Sequence, residues 1–203
     1  MTEPYIPSNV PLAELAAAVH ERWAIKTGAD DGAANIDTSA PTDTSIEWLR
    51  SQPAPPPDHL KADARHGPVE TTVYKLSATL TAYQQESDQD YHLVLSSDQA
   101  GITMIAEIPD PAAAAKGCHF LPQITAARKA FEDRFRQQLA ALAQLQKQLE
   151  PTAAGGMGEV AMIRNVRVPV TITGIGFFDF IHGQTGVAPN GVELHPVLSI
   201  AFD

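Results

Sequence analysis

"TVYKLSATLTAYQQESDQDYHLVLSSDQAGITMIAEI" (residues 72–108) decides the fold class of this chain. In its first twelve residues Tyr74, Leu76, Ala78, Leu80 and Ala82 alternate with mostly polar positions, the period of a half-buried strand. "QQESDQD" (84–90) is built from turn formers, and "YHLVLS" (91–96) is a second strand. "SDQAG" (97–101) is a second turn, and "ITMIAEI" (102–108) a third strand. Three alternating segments joined by two short turns predict an antiparallel meander.

Downstream, "PDPAAAAKG" breaks the sheet and the period changes. Over residues 121–149 Ile124, Phe131, Phe135, Leu139, Leu142, Leu145 and Leu149 form one helical stripe, ended by the Pro and Gly of "PTAAGGMG". "NVRVPVTITGIGFFDF" then reads as a fourth strand, with Val168, Val170 and Ile172 in phase. "VELHPVLSIAF" reads as a fifth, with Leu194, Leu198, Ile200 and Phe202 facing one way. Three strands, a helix and two strands is the chain order of a five-stranded OB-like barrel. The expected fold is therefore mainly β with α: an antiparallel barrel over residues 61–203, with one long helix between strands three and four and a helical insertion at about 121–159. A three-stranded sheet on a loose helical layer is the competing architecture.

Residues 1–60 read as a Pro-punctuated helical arm, too poor in large apolar residues to be a domain. A short amphipathic helix is expected at 13–25, and a second in "TSIEWLRSQ" (44–52), where Thr44 precedes Glu47 by three residues as in a capping box. "PAPPPD" (53–58) ends that helix as a stiff connector.

The 203 residues, 44% of them hydrophobic, suffice for one good core. The net charge of −10 is uneven: nine acids oppose three Lys/Arg in residues 1–60, eight oppose four in 61–120, and seven oppose seven in 121–203. That balance repels a polyanion and argues against a tight nucleic-acid coat, though not against an enzyme that bridges charge with a metal ion. The single cysteine, Cys118, excludes an internal disulfide. No apolar run reaches membrane-spanning length, and no basic-then-apolar segment opens the chain, so a cytoplasmic location is the default expectation.

Strand parity locates the chemistry. Leu93 and Leu95 face one side of the second strand, so Asp90, His92 and Val94 face the other. By the same rule Glu107 opposes Met104, Ala106 and Ile108, and Glu193 and His195 oppose Leu194 and Ile200. Asp179 and His182, just beyond the fourth strand, reach the same rim. Carboxylates and imidazoles in this number are what a divalent ion needs, with Mg, Mn, Ca and Zn all open. Each residue also has an ordinary reading as a solvated strand position or, for Asp88 and Asp90, a turn carboxylate. "GGMG" and "TGIG" lack the residues of a nucleotide loop, and the adjacent Cys118 and His119 are poorly disposed for nucleophilic catalysis.

The segments "WAIKTGAD" (23–30), "DQDYHLVLS" (88–96), "TMIAEIPDP" (103–111) and "GIGFFDFIHGQTGVAPNGVELHPVL" (174–198) resemble a family of uncharacterised bacterial proteins. The resemblance spans most of residues 22–202 and implies one domain with an N-terminal arm; it carries no activity. Residues 137–159 look like an insertion relative to that family. The barrel order is also similar to that of staphylococcal nuclease, an OB-type barrel that cleaves phosphodiesters with bound calcium. No arginine-flanked motif of that enzyme is present, so the likeness implies topology and transfers no residue.

The favoured expectation is a metal-assisted hydrolase acting on phosphodiesters in nucleic acid. Asp90, His92, Glu107, Asp179 and Glu193 would supply ligands, and His182 or His195 the base. Asn190 or Gln184 would orient water, and Arg164 or Arg167 would clamp phosphate. A non-catalytic OB-type module for a protein, peptide or oligonucleotide is the alternative, with Tyr74, Tyr83, Tyr91 and Phe178 the available stacking residues. A third expectation is purely structural, the polar residues tying "HGQTGVAPNG" to the barrel.

Overall fold

The computed structural model describes residues 22–56, 59–60, 64–86, 88–114, 117–149 and 164–203. A two-residue strand, Thr42–Asp43 (β1), runs parallel to the start of Val73–Gln85 (β2). The predicted meander follows as β2, Tyr91–Ser96 (β3) and Thr103–Ile108 (β4), both pairings antiparallel. The last two strands are Arg164–Phe178 (β5) and Val192–Phe202 (β6). β2 is long enough to pair with β3 at one end and β5 along most of its length, so the sheet closes in the order β2-β3-β4-β6-β5 and back to β2. Closure removes the open edges that an isolated meander would leave.

The five-stranded barrel with its helix between the third and fourth barrel strands matches the expectation, with one difference. It is mixed, not wholly antiparallel, because β4 and β6 are parallel at Ile105↔Glu193 and Ala106↔Leu194. The helical crossover after β4 returns the chain as β5, and β6 then fills the gap between β5 and β4 in β4's direction.

Inward-pointing residues fill the barrel: Leu76, Leu80 and Tyr83 from β2, Leu93 and Leu95 from β3, Met104, Ala106 and Ile108 from β4, Val170 and Ile172 from β5, and Leu194 and Ile200 from β6. The helix Leu121–Leu149 (α3 in chain order, after the two short helices below) packs Ala127, Phe131 and Phe135 into the same core. Phe131 stacks against Tyr83 and Tyr91 with ring centroids 5.2 and 4.7 Å apart, and truncating such a buried ring costs about 3–5 kcal/mol. At Phe135 the backbone leaves helical geometry (φ −110°, ψ 18°), so the helix kinks there, and Leu139 beyond the kink still packs against the core.

Leu198 departs from the expected phase. Register shifts in the β5–β6 pairing at Thr173/Gly174 and Gly174/Gly176 turn it out of the barrel. It joins a second, outer cluster with Val73, Ile175, Ala33, Ile36, Phe120 and Ile124. This cluster holds the arm against the barrel wall.

The arm contributes two helices, Trp23–Thr27 (α1) and Ile46–Arg50 (α2). α1 is the end of the helix expected at 13–25, of which 13–21 lie outside the described residues. α2 is capped by Ser45, whose hydroxyl accepts from the Trp48 amide at 3.2 Å, rather than by Thr44. Thr44 instead continues β1, its amide donating to Lys75 O at 2.9 Å. Ile46 and Leu49 enter the main core. No helix among the described residues is long and apolar enough to cross a membrane. The expected terminator "PTAAGGMG" lies outside the described residues.

Candidate functional site

Because Tyr91, Leu93 and Leu95 point into the barrel, the alternate residue His92 points out, and its Cα partner on β4 is Glu107. The parallel β4–β6 pairing sets Glu193 opposite Ile105 and brings His195 onto the same outward face. Strand parity thus placed these residues on one face. The face is not solvated: His92, Glu107, Glu193, His195 and Asp90 are all buried. The chain covers it with its own segments, the β5–β6 connection (179–191) and α1.

Gly186 seats the connection. It has φ +86°, and a Cβ there would lie 2.5 Å from Val94 Cγ1, so only glycine lets the backbone lie on the outer side of β3. One residue earlier, Thr185 O accepts from His92 Nε2 at 3.0 Å. From the other side Lys26 of α1 reaches Asp179 at 3.1 Å and stands 5.4 Å from the Phe177 ring centroid.

Within this enclosure Glu107 is the hub. Its Oε1 lies 3.2 Å from His92 Nδ1, and its Oε2 lies 2.9 Å from His195 Nδ1. His195 Nδ1 is also 3.2 Å from Glu193 Oε1, and Glu86 Oε1 approaches His92 Nδ1 at 3.5 Å. Asp90 is held by the Asp110 amide, which donates to Oδ1 at 2.7 Å, leaving Oδ2 facing His195 Nε2 at 3.7 Å.

Both ring nitrogens of His92 face oxygen acceptors, the arrangement of an imidazolium. Burial alone would lower its pKa, but the hydrogen bond and charge of Glu107 outweigh that and push it up to about 9. The same balance, with Glu107 dominant and Glu193 adding to it, pushes His195 up to about 10. For Glu107 burial is opposed by the hydrogen bond and charge of His195, then by His92, which hold its carboxyl well below the usual range. Burial raises Asp90 to about 7 against the attraction of His195. Burial and the Glu107 charge together raise Glu193 to about 7. Glu86 is raised by burial and by Glu107. Lys26 is raised above its ordinary value: burial pulls it down, and the charges of Glu107, Glu193 and Asp179 more than compensate. Two sets of acidic and imidazole donors, Glu86–His92–Glu107 with Glu86 half-buried and the fully buried Asp90–Glu107–His195, place one atom from each residue within 4.8 Å of the others, a spacing that can hold a metal ion.

The remaining sequence candidates supply no donor to either set. Asp179 stands at the edge of the enclosure on Lys26. Asn190 is a strut: its Nδ2 donates to Leu49 O and Gln52 O, both at 3.0 Å, and its Oδ1 accepts from the Val192 amide at 3.3 Å. Gln184 closes its own loop through Phe180 O and the His182 amide, and His182 is exposed. Tyr91 points into the barrel, with Arg128 4.2 Å from its ring centroid and Glu132 3.3 Å from its hydroxyl. Arg164 and Arg167 begin β5, ten or more residues along the strand from Phe177, whose partner is Glu193. The register nevertheless sets Arg164 opposite Tyr83, next to Gln84, the partner of His92, so the backbone at Arg164 lies one strand away from the His92 end of the enclosure.

Sequence reading missed Lys26, Glu86 and the neighbouring pair Arg22–Glu70. None has a periodic signature. Glu86 alone was findable, since it follows Gln84 by two residues and Gln84 is the Cα partner of His92. Comparison with protein-family models and with curated proteins finds no match to this chain.

Proposed function

We propose that this chain is a non-catalytic OB-type binding module whose partner is a protein or peptide. The observation that carries the reading is the fate of the aromatic side chains. Tyr74, Tyr83, Tyr91 and Phe178, the strand aromatics expected to stack on bases, are all buried, which leaves Trp48 as the exposed large aromatic among the described residues. Single-strand recognition by OB barrels depends on exposed aromatics and a positive groove, and the net charge of −10 supplies the opposite field.

The large apolar residues exposed among those described are Trp48 and Ile181. Both border one segment: Asn190 is bonded to Leu49 O, beside Trp48, and Ile181 Cγ1 lies 3.5 Å from the Cβ position at Gly191. Two exposed apolar side chains flanking one segment, on a chain of net charge −10, suit a peptide that offers an apolar anchor with flanking Lys or Arg. Selection from a displayed peptide library tests this. The expected result is enrichment of such peptides, with binding lost in Trp48→Ser and retained in a distant surface variant, Lys129→Ser. Binding of single-stranded DNA or RNA at physiological salt, or peptide binding unaffected by Trp48→Ser, would overturn it.

Metal-assisted phosphodiester hydrolysis is the second reading. What favours it is Glu86, whose side chain is 32% exposed and which links the His92–Glu107 pair to solvent. Incubation with DNA and RNA in the presence of Mg²⁺, Mn²⁺, Ca²⁺ or Zn²⁺ tests it, and cleavage lost in Glu107→Gln would make it the better account.

A further inference from the structure

Two buried atoms of the enclosure have no hydrogen-bond partner among the described residues, Asp90 Oδ2 and His195 Nε2. They face each other at 3.7 Å, with their residues 0% and 1% exposed. A direct hydrogen bond does not span that gap, and leaving either atom unsatisfied is costly. Two donors bound to one ion at about 2.0–2.2 Å lie roughly 3–4 Å apart, so the gap is the width that a shared ion requires. We propose that Asp90 Oδ2 and His195 Nε2 are donors to one divalent transition-metal ion of the Zn²⁺ class.

The surroundings fit this position better than the neighbouring Glu86–His92–Glu107 set. There both ring nitrogens of His92 are engaged, by Glu107 and Thr185 O, and Glu86 is held by Gln84 Nε2 at 3.2 Å, whereas His195 keeps one nitrogen without a partner. At His195 the bonds are arranged as behind a metal-bound imidazole. Nδ1–H points at the carboxylates of Glu107 and Glu193, which fixes the tautomer and leaves Nε2 to coordinate. Asp90 is fixed likewise by the Asp110 amide. Charge favours a cation as well. Glu86, Asp90, Glu107, Asp179 and Glu193 converge on Lys26, His92 and His195, five carboxylates against three nitrogen groups.

The donor set selects the metal class. An imidazole with carboxylates in a dry enclosure suits a low-coordinate borderline ion, whereas Ca²⁺ requires six to eight oxygens and Mg²⁺ retains several waters.

The test is calorimetric titration of the chelator-treated full chain with Zn²⁺, Mn²⁺, Mg²⁺ and Ca²⁺, with X-ray absorption at the zinc edge on the loaded wild type. The expected result is one Zn²⁺ per chain, one imidazole nitrogen with oxygen donors in the absorption spectrum, and preference over Mg²⁺ and Ca²⁺. Asp90→Asn and His195→Gln lower the affinity at least about 10-fold, and Glu86→Gln lowers it by less. A folded wild type that binds none of the four ions overturns the proposal and leaves a bridging water as the occupant. Loss of binding in Glu86→Gln but not in Asp90→Asn overturns the placement, and preference for Ca²⁺ or Mg²⁺ overturns the class. The absorption spectrum needs no variant, so a misfolded substitution does not rescue the idea. Failure here leaves the peptide-binding reading standing, because that rests on Trp48 and Ile181.

Discussion

Arg22 and Glu70, 48 residues apart, meet in a bidentate ion pair with both contacts at 2.7 Å, and neither side chain is more than 1% exposed. Glu70 also accepts from the amides of His66 at 2.6 Å and Phe178 at 2.9 Å, while Arg22 donates to Phe178 O at 2.9 Å. The Arg22 guanidinium lies 4.6 Å from the centroid of the Phe177 ring. One buried carboxylate therefore joins the entry of α1, the segment before β2 and the end of β5, all directly beside the His–carboxylate enclosure.

Removing one partner strands the other charge in a dry setting, so Glu70→Gln and Arg22→Met are each expected to destabilise the chain by about 3–5 kcal/mol. For a chain of this size that is on the order of a 10 °C drop in melting temperature. The double variant Arg22→Met/Glu70→Leu should lose less than the sum of the two, because no unpaired charge remains. By contrast, Lys129→Ala, which breaks an exposed helical pair with Asp133, should change stability by less than about 0.5 kcal/mol. Urea unfolding of the four variants checks the order, and single variants within about 1 kcal/mol of wild type would contradict it.

Gly186 carries the second prediction. Gly186→Ala forces a methyl group into Val94 and puts a Cβ on a left-handed residue, an expected cost of about 1–3 kcal/mol. The β5–β6 connection should lift from β3, seen as faster amide exchange and proteolysis across 179–191. Adding Val94→Ala opens space for the methyl and should recover part of the loss, with the φ strain remaining. Unchanged protection in Gly186→Ala would mean that the connection is not seated through this contact.

How much of this was legible follows from what periodicity encodes. Alternation along single strands was enough to put His92, Glu107, Glu193 and His195 on one face, because a side chain's direction in a strand is local. Whether that face meets water or protein is not local. It depends on Lys26, Arg22 and the Thr185–Gly186 backbone arriving from distant segments, and no spacing announces that. The parallel β4–β6 pairing was hidden for the same reason: strand order is settled by closure of the barrel. Leu198 was misphased because the register shifts at Gly174 are invisible in an alternating pattern. The segments 23–30, 88–96, 103–111 and 174–198 converge, with Lys26, His92, Glu107, Asp179, Glu193 and His195 drawn from all four.

Asn190 separates a strut from a catalytic group. Asn190→Ala removes two hydrogen bonds to the carbonyls of Leu49 and Gln52 and one from the Val192 amide, at an expected cost of about 1–3 kcal/mol. Its effect should be structural and local to α2. Trp48, already 45% exposed, should lose its fixed contact with Tyr74 and shift its fluorescence to the red. Metal titration in this variant should match wild type, and a weakened ion site without any change at Trp48 would point to a role in the centre itself.

The ionisation pattern of the enclosure gives the metal-free chain an unusual pH response. His92 and His195 are pushed up to about 9 and about 10, so each contributes stability that is fully present below the unfolded value of about 6.5 and is lost as pH rises through 9 and 10. Asp90 and Glu193, raised to about 7, act in the same direction. The folded state holds their protons more tightly than the unfolded chain, and that advantage is lost between about pH 4 and pH 7. Glu107 works the other way: its depressed value contributes stability above the unfolded value of about 4.3, lost as pH falls below it. The sum is a chelator-treated protein most stable near pH 5, whose urea midpoint declines steadily towards pH 10. Glu107→Gln removes the acceptor that holds both imidazoliums and should flatten the upper half of that decline. A midpoint that is constant or rises between pH 5 and pH 9 in the metal-free wild type would mean that both imidazoles are neutral in the folded state.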